Sequence, residues 1–449
     1  MLGRVSNSHH SHSSSRKGKK KVTTGNLPSS RRLCARAVAK ESDDTHSPPV
    51  IIIGGGIIGC SIAYFLKSRH NISSVIVEQT EIAASSSGKA GGFLARGWGD
   101  GGVTQQLHRI SYDLHKQLAG ELDIQSYRNI PVLSVEPESG RRVARPGGVM
   151  PNWLDGDCAA RMLDADGGAQ VEPRELTTKL FQASQADLFL GSAVGLDLDP
   201  DTGFCKGVRV ETKKRVVDGE SSSTQATEVV VLQGRAVVIS MGVWSVLLED
   251  WLGESTGIKV PMEGVKSTSV VFQECQDTAA DPYALFCGED SNGCHLEVYP
   301  RKDGSVYVCG IGGSDYVRGN RLRRGGDCEH AGLIKEDPAR VAAACASLRG
   351  MSSAFGKSPA VTQACMRPCA PDALPLLGRV PETQNVLLAC GHNCWGILWA
   401  PVTGLAMAEM IAHGQSKTVN LAAFSPTRFM ARKSQRGRAM KNTTTGEQW

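Results

Sequence analysis

No Asp or Glu occurs in the first 40 residues, a stretch that carries ten of the chain's 50 Lys and Arg residues. The net charge of +5 is therefore concentrated at the amino end, and the remaining body is slightly acidic. That excludes a basic nucleic-acid face on the folded part. No apolar h-region accompanies the basic segment, which excludes reading it as a secretory signal. No C-x-x-C occurs among the 14 cysteines. A dithiol redox centre is thereby excluded, and the thiols are expected to be reduced. No apolar run is free of glycine and polar residues: the uncharged stretches 50–66 and 385–407 carry several of each, so neither is expected to span a membrane. The terminal Glu447-Gln448-Trp449 is not a peroxisomal tripeptide.

What stands at the amino end is rich in Ser, Arg and Lys, as in "SSSRKGKKK" and "SSRRLCARAVAK". Residues 1–48 are expected to be a targeting segment, with a chloroplast favoured over a mitochondrion. The alternative is a solvated basic tail on a cytoplasmic protein.

The organising stretch is "VIIIGGGIIG", residues 50–59. Four β-branched residues predict a buried strand, and the apolar run after Gly59 predicts a helix. Gly54, Gly56 and Gly59 form G-x-G-x-x-G between the two, the context in which this motif binds a dinucleotide. The first glycine turns the chain off the strand, the second admits a pyrophosphate, and the third lets helix and strand pack closely. The helix N-terminus then offers unpaired N–H groups to the phosphates. A second strand ends at Glu78, 19 residues after Gly59, where a carboxylate can accept both ribose hydroxyls.

After Glu78, "IAASSSGKAGGFLA" predicts a loop hugging a large planar ligand, with Ser86, Ser87 and Lys89 as donors and Gly91 allowing close approach. Helical periodicity covers 107–122 and 175–185, and 207–234 predicts a β-meander with an exposed insert. A third buried strand runs through "RAVVIS" into Gly242. Residues 260–271 and 295–313 alternate as antiparallel strands do. Near the end, 386–390 predicts a strand, 391–396 a turn and 397–413 a long apolar helix. Only one credible dinucleotide fingerprint is present, so no separate nicotinamide domain is expected. A flavin reduced directly by a small substrate fits that pattern.

With these pieces in place, the chain resembles the D-amino-acid-oxidase-like flavoproteins, the family of glycine and sarcosine oxidases. The resemblance covers about residues 49–430 and rests on the fingerprint, "ASSSGKAGG", "YPRKDG", "MRPCAPDALPLLG", "GHNCWGILWAPVTG" and "FSPTRF". It is strongest to a eukaryotic branch carrying GHxCWGI. It implies FAD, oxidation of a C–N bond to an imine, and hydride transfer to flavin N5. Residue by residue, it implies that Gly54, Gly56, Gly59 and Glu78 bind the ADP unit. Ser86, Ser87, Lys89, Ala90 and Gly91 form the loop beside the pyrophosphate and ring. Val194 lies on the strand whose backbone meets the adenine. Gly391, His392, Gly396 and Ile397 lie near the pyrimidine end.

Arg367 matches the arginine that clamps a substrate carboxylate, a role suited to a guanidinium fork; a structural pairing with Asp372 is the competing reading. Cys365-Met366 matches the site that in sarcosine oxidases carries FAD through a thioether, so covalent attachment through Cys365 and ordinary burial of a thiol both stand open. Glu297 replaces a substrate-facing Tyr, and a carboxylate there attracts an amine. Val308 stands at the position matched to a flavin-facing Lys, which leaves O2 or another electron acceptor open. Trp395 walls the substrate pocket or packs in the core. Cys365, Cys369, Cys390 and Cys394 also resemble loosely a structural zinc set, a weaker reading because both pairs sit in the flavin segments.

The expected fold is α/β with α+β: a Rossmann-like FAD domain of the glutathione-reductase type (49–105, 170–258 and 362–415) interleaved with an antiparallel-sheet substrate domain (106–169 and 259–361), then a basic tail, 416–449. The expected function is an FAD-dependent oxidoreductase acting on a small amine or amino acid. The alternative is a flavin-binding protein with a regulatory or trafficking role and little turnover.

Overall fold

Val50–Ile53 forms the centre of a six-stranded sheet, with all four residues at most 2% exposed. Burial on both faces is what such a continuous β-branched run requires. In the computed structural model, which describes residues 47–144, 149–213, 227–253 and 256–430, the strands Ser74–Glu78 and Ala236–Ile239 flank it in parallel. Asp187–Leu190 extends one edge in parallel. Val386–Cys390 extends the other in parallel, and Leu376–Arg379 closes that edge antiparallel. The expected targeting segment up to residue 46, the tail from 431 and residues 214–226 of the expected insert lie outside the described residues.

Gly54 turns off the central strand at φ +110°, where a Cβ would come within 2.4 Å of the Ser240 carbonyl oxygen. The helix Ile57–His70 follows and packs against Pro173–Ser184 and the last helix, Gly396–His413. That last helix belongs to the only segment among the described residues long and apolar enough to cross a membrane (Asn393–His413). Leu398, Trp399, Val402 and Met407, each at most 2% exposed, place it in the core. The helix Gln105–Glu121 packs on it, with Leu107, Tyr112 and Leu118 in the same apolar core as the nucleotide unit. The sequence assigned this helix to the substrate domain; its apolar stripe instead completes the core around the last helix.

The second large sheet is mainly antiparallel. Its long strand Glu263–Phe272 pairs with Val361–Cys369 along nine positions, from Glu263 opposite Cys369 to Val271 opposite Val361. Residues 362–369 were expected in the cofactor domain, but they form part of this sheet: alternation marks a strand without naming its partner. Ala284–Cys287 pairs in parallel with Val132–Pro137, so the two chain segments 106–169 and 259–361 share this sheet. The expected meander forms a separate antiparallel sheet of Ser192–Leu198, Cys205–Lys213 and Thr227–Gln233. The α/β-plus-antiparallel architecture read from the sequence is the one that forms. One local difference lies at 82–95, expected as a loop: Ser86–Lys89 makes a single helical turn before the strand Phe93–Ala95.

Candidate active site

One cleft of about 420 Å³ runs between the two sheets. Gly54, Gly56, Glu78, Ala90, Gly91, Gly391, His392, Trp395, Gly396 and Ile397 all line it. Its size suits a preformed small-molecule site. The amino-terminal nucleotide unit and the carboxy-terminal glycine turn, far apart in sequence, line one groove.

At the nucleotide end, Glu78 is fixed by backbone donors: Gly55 N–H donates to Oε2 at 2.9 Å and Thr80 N–H to Oε1 at 3.0 Å. Thr80 Oγ1 also donates to Oε1, at 3.3 Å, so Oε2 is the oxygen that keeps a second lone pair for a further donor. Ile57 N–H, at the start of the first helix, donates to Ser87 Oγ at 2.9 Å. Ser87 accepts there and retains its own hydroxyl hydrogen for a ligand. A Cβ on Gly56 would meet Ser87 Oγ at 3.0 Å, so the glycine keeps a shallow cradle open beside the helix N-terminus. Carboxylate, cradle and helix end therefore fit the ADP part of a dinucleotide.

Two residues of the loop serve differently from expectation. Ser86 Oγ donates to the Met366 carbonyl at 2.6 Å and Lys89 Nζ to the Ala364 carbonyl at 3.1 Å, while Gln363 Nε2 donates back to Lys89 O at 3.1 Å. Their side chains stitch the loop to the antiparallel sheet; Ser86 still lines the groove, whereas Lys89 does not. Val194 is not a lining residue either, but its neighbours Ser192 and Ala193 are. The strand pairing slips between Ala193 and Gly195, so Val194 sits at an irregularity in the ladder.

The antiparallel sheet supplies the other wall. Cys365 and Arg367, two apart on one strand, both line the cleft, as do Glu297 and Tyr299 on another and Tyr307 and Cys309 on a third. Tyr299 OH donates to Glu297 Oε2, and Cys309 Sγ donates to the same oxygen at 3.4 Å. Burial raises the Cys365 thiol above its ordinary value, with Lys89 and Arg367 pulling the other way. Burial also drives the Tyr299 and Tyr307 hydroxyls well above the phenol range, so both remain protonated. Phe93 stacks on Tyr299 with ring centroids 5.5 Å apart, and Trp98 meets Phe286 edge to face at 4.9 Å. These aromatics were missed in the sequence; the i, i+2 alternation of 297/299 and 307/309 was the available signal.

Three further sequence readings change. Asp372 is held bidentately by Arg428, at 2.7 and 3.1 Å, so the structural partner proposed for Arg367 is already taken up by the "FSPTRF" arginine. Val308 is fully buried and packs in the core with Leu285 and Val298; Tyr307 and Cys309 are the cleft-facing residues of that strand. Among the described residues no group of three or more His, Cys, Asp or Glu side chains could hold a metal ion, which removes the four-cysteine zinc set. His392, 2% exposed, bonds Thr403 Oγ1 through Nε2 at 3.1 Å, and burial lowers its pKa to about 3. It is a neutral brace of the glycine turn. Trp395 stands between the cleft and the core, its ring 4.7 Å from that of His108.

The chain is 27% identical to a glycine oxidase of Bacillus licheniformis over 83% of its own length and 95% of that protein's. It is 24% identical to TDA3 of Saccharomyces cerevisiae, over 83% and 92%. In fold it resembles the glycine oxidase of Geobacillus kaustophilus, with a TM-score of 0.60 at 19% identity over 86% of this chain and 100% of that one. It likewise resembles an L-amino acid deaminase of Proteus myxofaciens, with a TM-score of 0.63 at 17% identity over 90% and 97%. Residues 49–410 match the family described as FAD dependent oxidoreductase, DAO, and the chain belongs to that family of FAD-dependent oxidoreductases.

Proposed function

We propose that the protein oxidises the C–N bond of a small amine or amino acid to an imine. The observation that carries this reading is the pairing of opposite charges in one groove: Arg367 and Glu297 line the same cleft as the nucleotide cradle. The matched glycine oxidase and the 4-methylaminobutanoate oxidase of Paenarthrobacter nicotinovorans, 23% identical over 82% of this chain, support that substrate class. FAD, when bound, supplies the hydride acceptor. Arg367 orients the substrate by pairing its carboxylate through two parallel N–H···O bonds. Glu297, with Oε2 committed to Tyr299 and Cys309, offers Oε1 to the substrate's ammonium group and takes from it the proton that must leave the nitrogen before the hydride leaves carbon. Phe93, Trp98, Phe286 and Tyr299 exclude water from that end. His392 moves no proton, being neutral and bonded to Thr403. The imine hydrolyses once it returns to water, and O2 or another acceptor re-oxidises the cofactor.

The test is anaerobic mixing of the yellow protein with a panel of amino acids and secondary amines. Bleaching of the flavin bands by members of that panel is the expected result. Failure of every amine, hydroxy acid and imino acid to bleach them overturns the enzyme reading in favour of a flavin-binding protein without turnover. We further propose an organellar location, a plastid before a mitochondrion, on the acid-free basic amino-terminal segment. Import of a fluorescent fusion to residues 1–48 tests it.

A further inference from the structure

The last helix carries a proline, Pro401, inside its span. Proline has no N–H, so the carbonyl four residues earlier, Ile397 O, loses its donor within the helix. The ring also pushes that turn open. In this fold the facing helix Gln105–Glu121 supplies replacements. His115 Nε2 lies 3.0 Å from Ile397 O and 3.1 Å from Leu398 O. Both partners are carbonyl oxygens, so this nitrogen carries the hydrogen and donates to the pair. One turn earlier on the same face, Ser111 Oγ accepts from Val402 N–H at 3.1 Å, taking the bond that Leu398 O would otherwise receive. His115 is 2% exposed and Ser111 fully buried. Water is therefore no substitute, and each unpaired group would carry its full desolvation cost. On the other side, His392 bonds Thr403, so the broken turn is braced from two directions.

What this turn carries gives the repair its consequence. Gly396 and Ile397, immediately before the break, line the cleft. A helix N-terminus presents partial positive charge and unpaired N–H groups to whatever lies there. We infer that Ser111 and His115, neither of which lines the cleft, are positioning residues: by completing the backbone bonds that Pro401 breaks, they aim the start of the last helix into that cleft, where the redox edge of FAD would lie. This rests on FAD occupying that cleft. A helix start held in place favours negative charge on the reduced cofactor; one released by loss of its braces favours it less.

The experiment is a double-mutant cycle on the FAD-loaded protein, read by flavin midpoint potential and by thermal unfolding. His115→Leu removes the donor and should lower the potential by about a tenfold change in the reduction equilibrium, roughly 30 mV for a two-electron couple. Pro401→Ala restores an N–H to Ile397 O. In that background His115→Leu should shift the potential by less than a third as much, because the helix then closes its own bonds. His115→Gln, which keeps an N–H donor, should stay near the parent potential. Ser111→Ala should repeat the pattern at smaller amplitude, and it carries the test if His115→Leu does not fold. An unchanged potential in both His115→Leu and Ser111→Ala, or shifts of equal size with Pro401 and with Ala at 401, overturns the positioning role while FAD stays bound. Purified protein without flavin overturns the cofactor reading itself and the positioning role with it.

Discussion

Tyr299 donates its phenolic hydrogen to Glu297, two residues earlier on the same strand, so that one carboxylate oxygen is fixed and the other is left to the cleft. The alternation of a strand puts both side chains on one face, and Cys309 on the neighbouring strand completes the hold. Glu297→Gln keeps the shape and removes the charge. It should raise the KM for a cationic amine at least tenfold while leaving the flavin spectrum unchanged, as stopped-flow reduction would show. A KM unchanged across the amine panel would take Glu297 out of substrate binding.

Arg367→Ala should cost a carboxylate-bearing substrate about 3 kcal/mol, or over a hundredfold in kcat/KM, because two charge-assisted bonds are lost together. An amine without a carboxylate should be affected far less. Comparing the two substrate types separates a clamp from a general loss of structure.

Gly56→Ala tests the cradle. The nearest atom to the added methyl is Ser87 Oγ at 3.0 Å, a hydroxyl that can give way, so the variant should fold with a circular dichroism spectrum like the parent's. The methyl occupies the space the pyrophosphate needs, and the protein should come off a column with little or no flavin. Gly54→Ala is the contrast: at φ +110° with backbone at 2.4 Å, it should fail to accumulate as folded protein.

Burial lowers His115 to about 4 and His392 to about 3, against about 6.5 in an unfolded chain. Below pH 6.5 the unfolded chain binds protons that the native one refuses, so stability is complete above that pH and falls as the pH drops towards 4. The loss by pH 4 is on the order of 3 kcal/mol for each histidine. Thermal unfolding between pH 7 and 4 should show it, with a shallower slope in His392→Gln. For the same reason neither histidine should contribute an inflection to the pH–rate profile.

Cys365 lines the groove where the resemblance places a thioether to FAD. Desolvation is the largest influence on its thiol and outweighs Lys89 and Arg367, so the thiolate that would attack a flavin is disfavoured. FAD should therefore appear in the supernatant after acid precipitation. Yellow colour retained in the pellet, and lost in Cys365→Ser, would show the covalent link.

The unit from Gly54 to Glu78 was legible because its strand, turn, helix and acid are contiguous, and each local preference agrees with the final fold. The groove's other end was found through resemblance, since nothing in the spacing of Arg367 and Glu297 says that their strands meet one cavity. Of the aromatic wall only Tyr299 had a local signal, its alternation with Glu297; Phe93, Trp98, Phe286 and Tyr299 come from separate strands and turns and meet only after the sheet is assembled. Val308 shows the limit of matching by position, since moving one residue along a strand exchanges core for cleft. Ser86 and Lys89 show another, because hydroxyls and a lysine near a ligand loop are as able to satisfy backbone carbonyls across the groove.

That last stitching reaches beyond binding. The loop after Glu78 follows a strand of one sheet, the strand bearing Arg367 belongs to another, and they are fastened together beside the groove that would hold the vitamin-derived coenzyme. A ligand held only by the assembled form adds its occupancy to the folding free energy. Filling the groove with FAD is therefore expected to harden the fold against unfolding as well as to make the polypeptide competent.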